Sequence, residues 1–258
     1  MRTDFNQGFR LDGQTAVVTG AASGIGFAVA ELFAAQGANV VLLDMSPEVE
    51  AVAQKLPGDH LGLLCNVAEQ SQIDAAVARA IARYGAIDIL VNNAGVALLD
   101  MAFDVREADW DKTLAINLKA AFFLSRAVAV PMRDSGRGGR IVNLASQASV
   151  IALERHVAYC ASKAFLHSWL QSLRWQLRNA SVEVLELAPP YVQTELTGQH
   201  QANDPRAMPL DAFVAEVMDL LEAGDHPGGE VLVESTRAMR WAERDGRYEA
   251  TFVAMNPA

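Results

Sequence analysis

Residues 15–26 read Thr15-Ala16-Val17-Val18-Thr19-Gly20-Ala21-Ala22-Ser23-Gly24-Ile25-Gly26. A short β-branched run passes straight into a glycine-rich turn, and a helix-period apolar stretch, Ile25–Gln36, follows until Gly37 stops it. A strand, a glycine turn and a helix together create a place where free backbone N–H groups can meet phosphate. Gly20 permits the tight turn, Gly24 lets the backbone approach a pyrophosphate, and Gly26 allows close helix–strand packing. Ser23 and Ile25, which lie between them, join the candidate cofactor set. Glycine turns also serve purely structural ends, so the neighbouring elements have to decide.

The next strand candidate, Asn39–Asp44, ends in a carboxylate 18 residues after Gly26. There Asp44 can accept from both ribose hydroxyls of an adenosine and would repel a 2′-phosphate. No Arg or Lys lies in the turn or just after Asp44 to receive such a phosphate. The pattern favours NAD over NADP. The plainer reading of Asp44 is an ordinary carboxylate at the end of a strand.

Outward from this unit the same alternation continues. Further strand candidates are Leu61–Cys65, Ile87–Asn92, Arg140–Ala145, Val182–Leu187 and Glu230–Glu234, with helical stretches Glu69–Tyr84, Trp110–Met132 and His156–Asn179 between them. Such alternation predicts an α/β fold: a Rossmann-type, doubly wound, parallel seven-stranded sheet in a single domain over 1–258. The polar stretch Glu195–Pro209 breaks the rhythm before a helix near Leu210. It reads as a substrate lid over 195–223, or more plainly as a floppy surface loop.

Composition narrows the function classes. The 258 residues carry 21 Lys+Arg against 31 Asp+Glu, a formal charge of −10, which lacks the clustered positive charge that nucleic acid selects. Cys65 and Cys160 form no CxxC pair, so neither a disulfide framework nor a metal site is expected. The N-terminal stretch has no apolar leader, and the greasiest run, Ala120–Met132, is interrupted by Ser125 and Arg126 and reads as too short for a bilayer. A soluble, cytoplasmic protein is expected, with no membrane or nucleic-acid partner.

Tyr159 and Lys163 stand four residues apart in a predicted helix and so share a face. A free tyrosine is a poor base at neutral pH, but a nearby ammonium stabilises its phenolate. Ser146, just after the fifth strand, can place a hydroxyl at the carboxyl edge of the sheet. Tyr-x-x-x-Lys alone is common on solvated helix faces. With the turn, Asp44 and Ser146 joined to it, chance becomes a poor explanation.

Together these elements resemble the short-chain dehydrogenase/reductase family. The resemblance rests on TGAASGIG (Thr19–Gly26), NNAG (Asn92–Gly95), Asn117 in AINLKAAF, Ser146 and Tyr159-Cys160-Ala161-Ser162-Lys163. It implies Tyr159 as general acid/base and Ser146 as the group that orients the carbonyl. Lys163 would lower the tyrosine pKa and bind the nicotinamide ribose, and Asn117 would hold a relay water. Asn93, Ala94 and Gly95 would line the adenosine side, and Val192 and Thr194 would hold the carboxamide. Two departures stand out. Asn66-Val67 replaces the usual Asp-Val, leaving an amide to accept from the adenine amine, and Ala188-Pro189-Pro190 replaces Pro-Gly, fixing φ where glycine is permissive.

Up to about Ala164 the chain is similar to NAD-dependent polyol dehydrogenases of the D-threitol or glycerol type. From Phe165 onward it looks like DltE-like oxidoreductases. Gln147, Ser149, Leu153, Glu154 and His156 would line the substrate pocket, with Gln147 and His156, beside Ser146 and Tyr159, bonding substrate hydroxyls. His156 has the alternative of facing solvent. His167 and the Trp169/Trp175 pair read as core or subunit interface. The resemblance implies a homo-oligomer, tetramer or dimer, formed through the two long helices. Three functions follow: a polyol–ketose oxidoreductase, the same chemistry on a bulkier carbonyl, or a cofactor-binding sensor.

Overall fold

Along β1 (Thr15–Thr19) successive side chains bury on opposite faces: Ala16 and Val18 join one apolar cluster and Val17 another. β2 (Asn39–Asp44) repeats this, with Val40 and Leu42 on the first side and Val41 and Leu43 on the second. Both faces of the sheet therefore need helices, which is why these strands read as unbroken apolar runs. The computed structural model describes residues 10–256. The first nine residues, part of the stretch read as lacking a leader, and 257–258 lie outside the described residues.

After α1 (Gly24–Ala35) and β2 come α2 (Val49–Ala53), β3 (Leu61–Leu64), α3 (Gln70–Tyr84) and β4 (Ile89–Asn92). A continuous helical run follows: α4 (Glu107–Leu114), a π-helical turn (Ala115–Ala120) and α5 (Ala121–Ser135). Then come β5 (Gly139–Leu144), a 3-10 turn (Gln147–Ser149), α6 (Val157–Leu177) and β6 (Val182–Leu187). The chain continues through α7 (Gln199–Ala202), α8 (Leu210–Ala223), β7 (Glu230–Val231), α9 (Glu234–Arg240) and α10 (Tyr248–Met255).

The seven strands form one parallel sheet in the order β3-β2-β1-β4-β5-β6-β7. Helices α1 and α8 cover one face, and α3, α5 and α6 the other. The strand order reverses between β1 and β4, and the crevice beyond the carboxyl ends there is where such sheets take ligands.

Two expectations change. β7 is two residues long rather than the expected Glu230–Glu234. Leu232 and Val233 stay buried, but β6 offers no further strand to pair with and the chain turns into α9. The apolar stretch at Ala120–Met132 belongs to a helical run of 29 residues, Glu107–Ser135, long and apolar enough by length and composition to cross a membrane. Here it is a core helix, with Leu124, Val128, Ala129 and Met132 packed under the sheet.

Candidate active site

The glycine turn is built by sterics. Gly20 adopts φ +62, and a Cβ on Gly26 would stand 2.2 Å from Gly20 O and 2.4 Å from Asn93 Nδ2. Only a hydrogen at position 26 lets α1 approach β1 this closely. Ser23 caps α1 without a side-chain bond, and no acidic residue stands in its first turn, which leaves the helix entrance suited to an anion. Asn93 ties the turn to β4: its Nδ2 donates to Thr19 O at 2.8 Å and to Gly20 O at 3.1 Å. Thr19 Oγ1, which the sequence reading passed over, accepts from the N–H groups of Asn93 and Ala94.

At the end of β2, Asp44 Oδ2 accepts from the Ala22 N–H and Oδ1 from the Ser46 N–H, each at 2.9 Å. The carboxylate is thus oriented by the glycine turn itself and lines the same cleft. That cleft, about 460 Å³, is lined by Gly20, Ser23, Gly24, Ile25, Asp44, Val67, Asn93, Ala94 and Gly95, then by Ser146, Tyr159, Lys163, Val192 and Thr194. Among its described lining residues, Lys163 is the only basic one. The polar stretch after β6 borders it through Thr194, Glu195, Leu196 and Gln201. Gln201, another residue missed in the sequence, donates from Nε2 to Val192 O at 2.8 Å and accepts from the Thr197 N–H at 3.0 Å.

Asn66 is engaged locally. It is not in the cleft wall with its neighbours Cys65 and Val67; its Oδ1 accepts from the Ala68 N–H at 3.0 Å, closing a local turn. Pro190 lies in the cleft wall, in a segment held by the Gln147 N–H, which donates to Pro189 O at 3.1 Å.

The catalytic candidates converge at the ends of β4 and β5. Asn117 sits in the π-helical turn, a distortion with no periodic trace in sequence. Its amide is bonded to the backbone of Val96 in both directions, at 2.8 and 2.9 Å, and donates to Ser162 Oγ at 3.1 Å. Lys163 is buried and donates to Leu144 O at 2.6 Å. Burial pushes its ammonium down to about 8. Its Nζ lies 5.6 Å from the centre of the Tyr159 ring. The expected lowering of the Tyr159 pKa is not expressed in this arrangement. Burial holds the phenol above its ordinary value, and the neighbouring Ser146 hydroxyl pulls the other way.

A second cavity, of about 640 Å³, adjoins the first. Ser146, Tyr159, Pro190, Leu196 and Gln201 belong to both walls, so the tyrosine stands at their junction. The second cavity also takes Gln147, Leu153, Glu154 and His156, as expected, but not Ser149, whose Oγ accepts from the Ser146 N–H at 3.3 Å. Gln147 is buried, and its Oε1 has no hydrogen-bond partner among the described residues. His156 is half-buried rather than facing solvent, with its ring 6.3 Å from that of Tyr159. Burial, aided by the Arg155 charge, lowers its pKa and favours the neutral imidazole. His167 instead bonds buried Glu186 at 2.8 Å, and Trp169 packs on Phe122.

The family described as short chain dehydrogenase matches residues 14–205, from the first strand to beyond α7. The chain belongs to the short-chain dehydrogenase family. This short-chain dehydrogenase is 47% identical over 193 residues to an NAD-dependent glycerol dehydrogenase of Listeria innocua, covering 74% of this chain and 76% of the relative. It is 44% identical over 218 residues to a D-threitol dehydrogenase of Mycolicibacterium smegmatis, covering 83% and 82%. Among solved structures, a short chain dehydrogenase/reductase from Burkholderia phymatum in complex with NAD superposes with a TM-score of 0.79 at 26% identity, over 97% of this chain and 98% of that one.

Proposed function

We propose that this short-chain dehydrogenase uses NAD to interconvert a secondary alcohol and a ketone, with a small polyol and its ketose as the substrate pair. The observation that carries the reading is the place of Ser146 and Tyr159 in the wall common to the two cavities. The glycine turn and Asp44 suit a dinucleotide in the first cavity, and an alcohol in the second would meet it at the tyrosine. Support for NAD over NADP comes from the pre-oriented Asp44 carboxylate and from a cleft whose one basic lining residue, Lys163, lies at the other end. The glycerol and D-threitol relatives support the polyol.

Bound NAD supplies the hydride acceptor. Tyr159 takes the hydroxyl proton of the alcohol and returns it in the reverse direction. Ser146 holds the substrate oxygen. The Lys163 charge, once close to the phenol, offsets the burial that opposes the phenolate. Asn117 Oδ1, which stands with Lys163 Nζ beside Gly95, has a second lone pair for a relay water. Gln147, with its unpartnered Oε1, and neutral His156 would bond neighbouring substrate hydroxyls.

A second reading, the same chemistry on a bulkier carbonyl, is favoured by the roomy second cavity and its apolar wall of Leu99, Leu153 and Leu196. A panel of polyols, diols and larger secondary alcohols with NAD at alkaline pH separates the two by which members generate NADH. Tyr159→Phe should abolish that signal and leave NADH binding near that of the parent. Retained turnover would overturn the assignment of the base, and NADH binding without turnover of any member would point to a sensor. The proposal extends to a cytoplasmic setting, in keeping with two buried free thiols, Cys65 and Cys160. It also extends to a homo-oligomer formed through the α4–α5 run and α6.

A further inference from the structure

One wall of the second cavity is the loop between the 3-10 turn and α6, which carries Leu153, Glu154, Arg155 and His156. Bonds from α6, from within the loop and from Asp100, which forms an isolated bridge with His156, hold part of it. The Leu153 N–H donates to Cys160 Sγ at 3.3 Å, the His156 N–H to Leu153 O, and the Asp100 N–H to Arg155 O, the last two at 3.1 Å.

The other hold comes from the far end of the described chain. Asn256, which follows α10, donates from Nδ2 to Ala152 O at 2.9 Å and accepts at Oδ1 from the Glu154 N–H at 2.7 Å. A side-chain amide carries a donor and an acceptor side by side, so it can close a ring across Leu153 much as a neighbouring strand would. Nδ2 also donates to Phe252 O at 3.0 Å, which ties the amide to its own helix. Tyr248 and Phe252 of that helix stack with centroids 6.1 Å apart and, with Cys160, Ala161 and Ala164 of α6, line a further cavity of about 360 Å³. Met255, next to the clamp, forms part of the cavity wall.

We propose that Asn256 is a positioning residue that holds the 152–156 loop against the substrate cavity, and that Met255 beside it limits the length of the substrate. The inference rests on the alcohol–ketone reading above. Aspartate at 256 could accept from Glu154 but not donate to Ala152, and alanine could do neither.

Two measurements on the whole protein decide it. In Asn256→Ala, hydrogen exchange of the 152–156 amides should quicken about tenfold, the scale expected for losing two modest hydrogen bonds. The substrate KM should rise by roughly the same factor, with kcat changed far less and the KM for NAD unmoved. Asn256→Asp should fall between parent and alanine, and it replaces the alanine variant if that one fails to fold. Met255→Ala should raise kcat/KM for longer polyols relative to shorter ones. Unchanged exchange overturns the clamp, and a loosened loop with an unchanged substrate KM overturns its role in positioning. An unchanged length preference overturns the role of Met255. If the parent turns over no alcohol at all, the functional reading fails, and the exchange result still decides the clamp.

Discussion

Lys163 keeps an ammonium where water barely reaches, with the Leu144 carbonyl as its hydrogen-bond partner. Its pKa falls from 10.5 to about 8 on burial, so the folded protein gives up this proton more easily than the unfolded chain does. The resulting destabilisation, about 3 kcal/mol by linkage, is present in full below pH ~8 and gone by pH ~10.5. Urea unfolding across that range should therefore show the parent gaining on Lys163→Met as pH rises, and a flat difference would contradict the burial. Asp44 makes a different kind of prediction, because it lines the cleft and its two backbone bonds leave each oxygen a lone pair. Asp44→Ala should lower the NAD-over-NADP ratio of kcat/KM by roughly tenfold or more, the scale of a lost charge-assisted bond. An unaltered ratio would remove the ribose argument. The sequence points to both residues through residue type and spacing, and the structure brings both to one cleft. Ser149 was not placed by the sequence because its side chain meets a local backbone N–H, a competition that leaves no mark in a motif.

Among the elements, the β1–α1 unit is the most constrained. Gly26→Ala would drive a Cβ into Gly20 O and Asn93 Nδ2, both tied into the turn. We expect a loss of about 2 kcal/mol and a melting temperature lower by roughly 4–8 °C, with weaker NADH binding. A variant that melts with the parent would mean the turn can relax. Legibility followed burial. β1, β2 and β6, whose residues are nearly all buried, have the bounds read from sequence. At β7 the apolar run outlasts the strand, since pairing ends at Leu187 and Val231. Short helices such as α7, α9 and α10 are too brief for a periodic signal. The clamp at Asn256 joins residues 102 and 104 positions apart, which no local pattern can announce.

For the whole molecule, three of the five exposed aromatic residues among the described ones lie on the helices expected to pair subunits, the others being Phe103 and Tyr248. Trp110 on α4 and Phe165 on α6 are each about two-fifths exposed, and Trp175 on α6 is more than half exposed. A stable dimer would cover a face of roughly 800 Å² on each partner, and rings like these are what such a face is made of. Sedimentation at micromolar concentration should give a dimer or tetramer, and Phe165→Glu should shift it towards monomer. A monomeric parent would show that these rings have another use.

The helical run Glu107–Ser135 also bears on how the chain is made. Its apolar face is covered partly by β4, which precedes it, and partly by β5 and α6, which follow. A ribosome delivers the run first and its cover later, so a nascent chain carries an unpaired greasy surface until residues up to about Leu177 have emerged. Slower synthesis at low temperature, or a chaperone that shields this stretch, should raise the soluble yield more than any change at the surface of the finished protein.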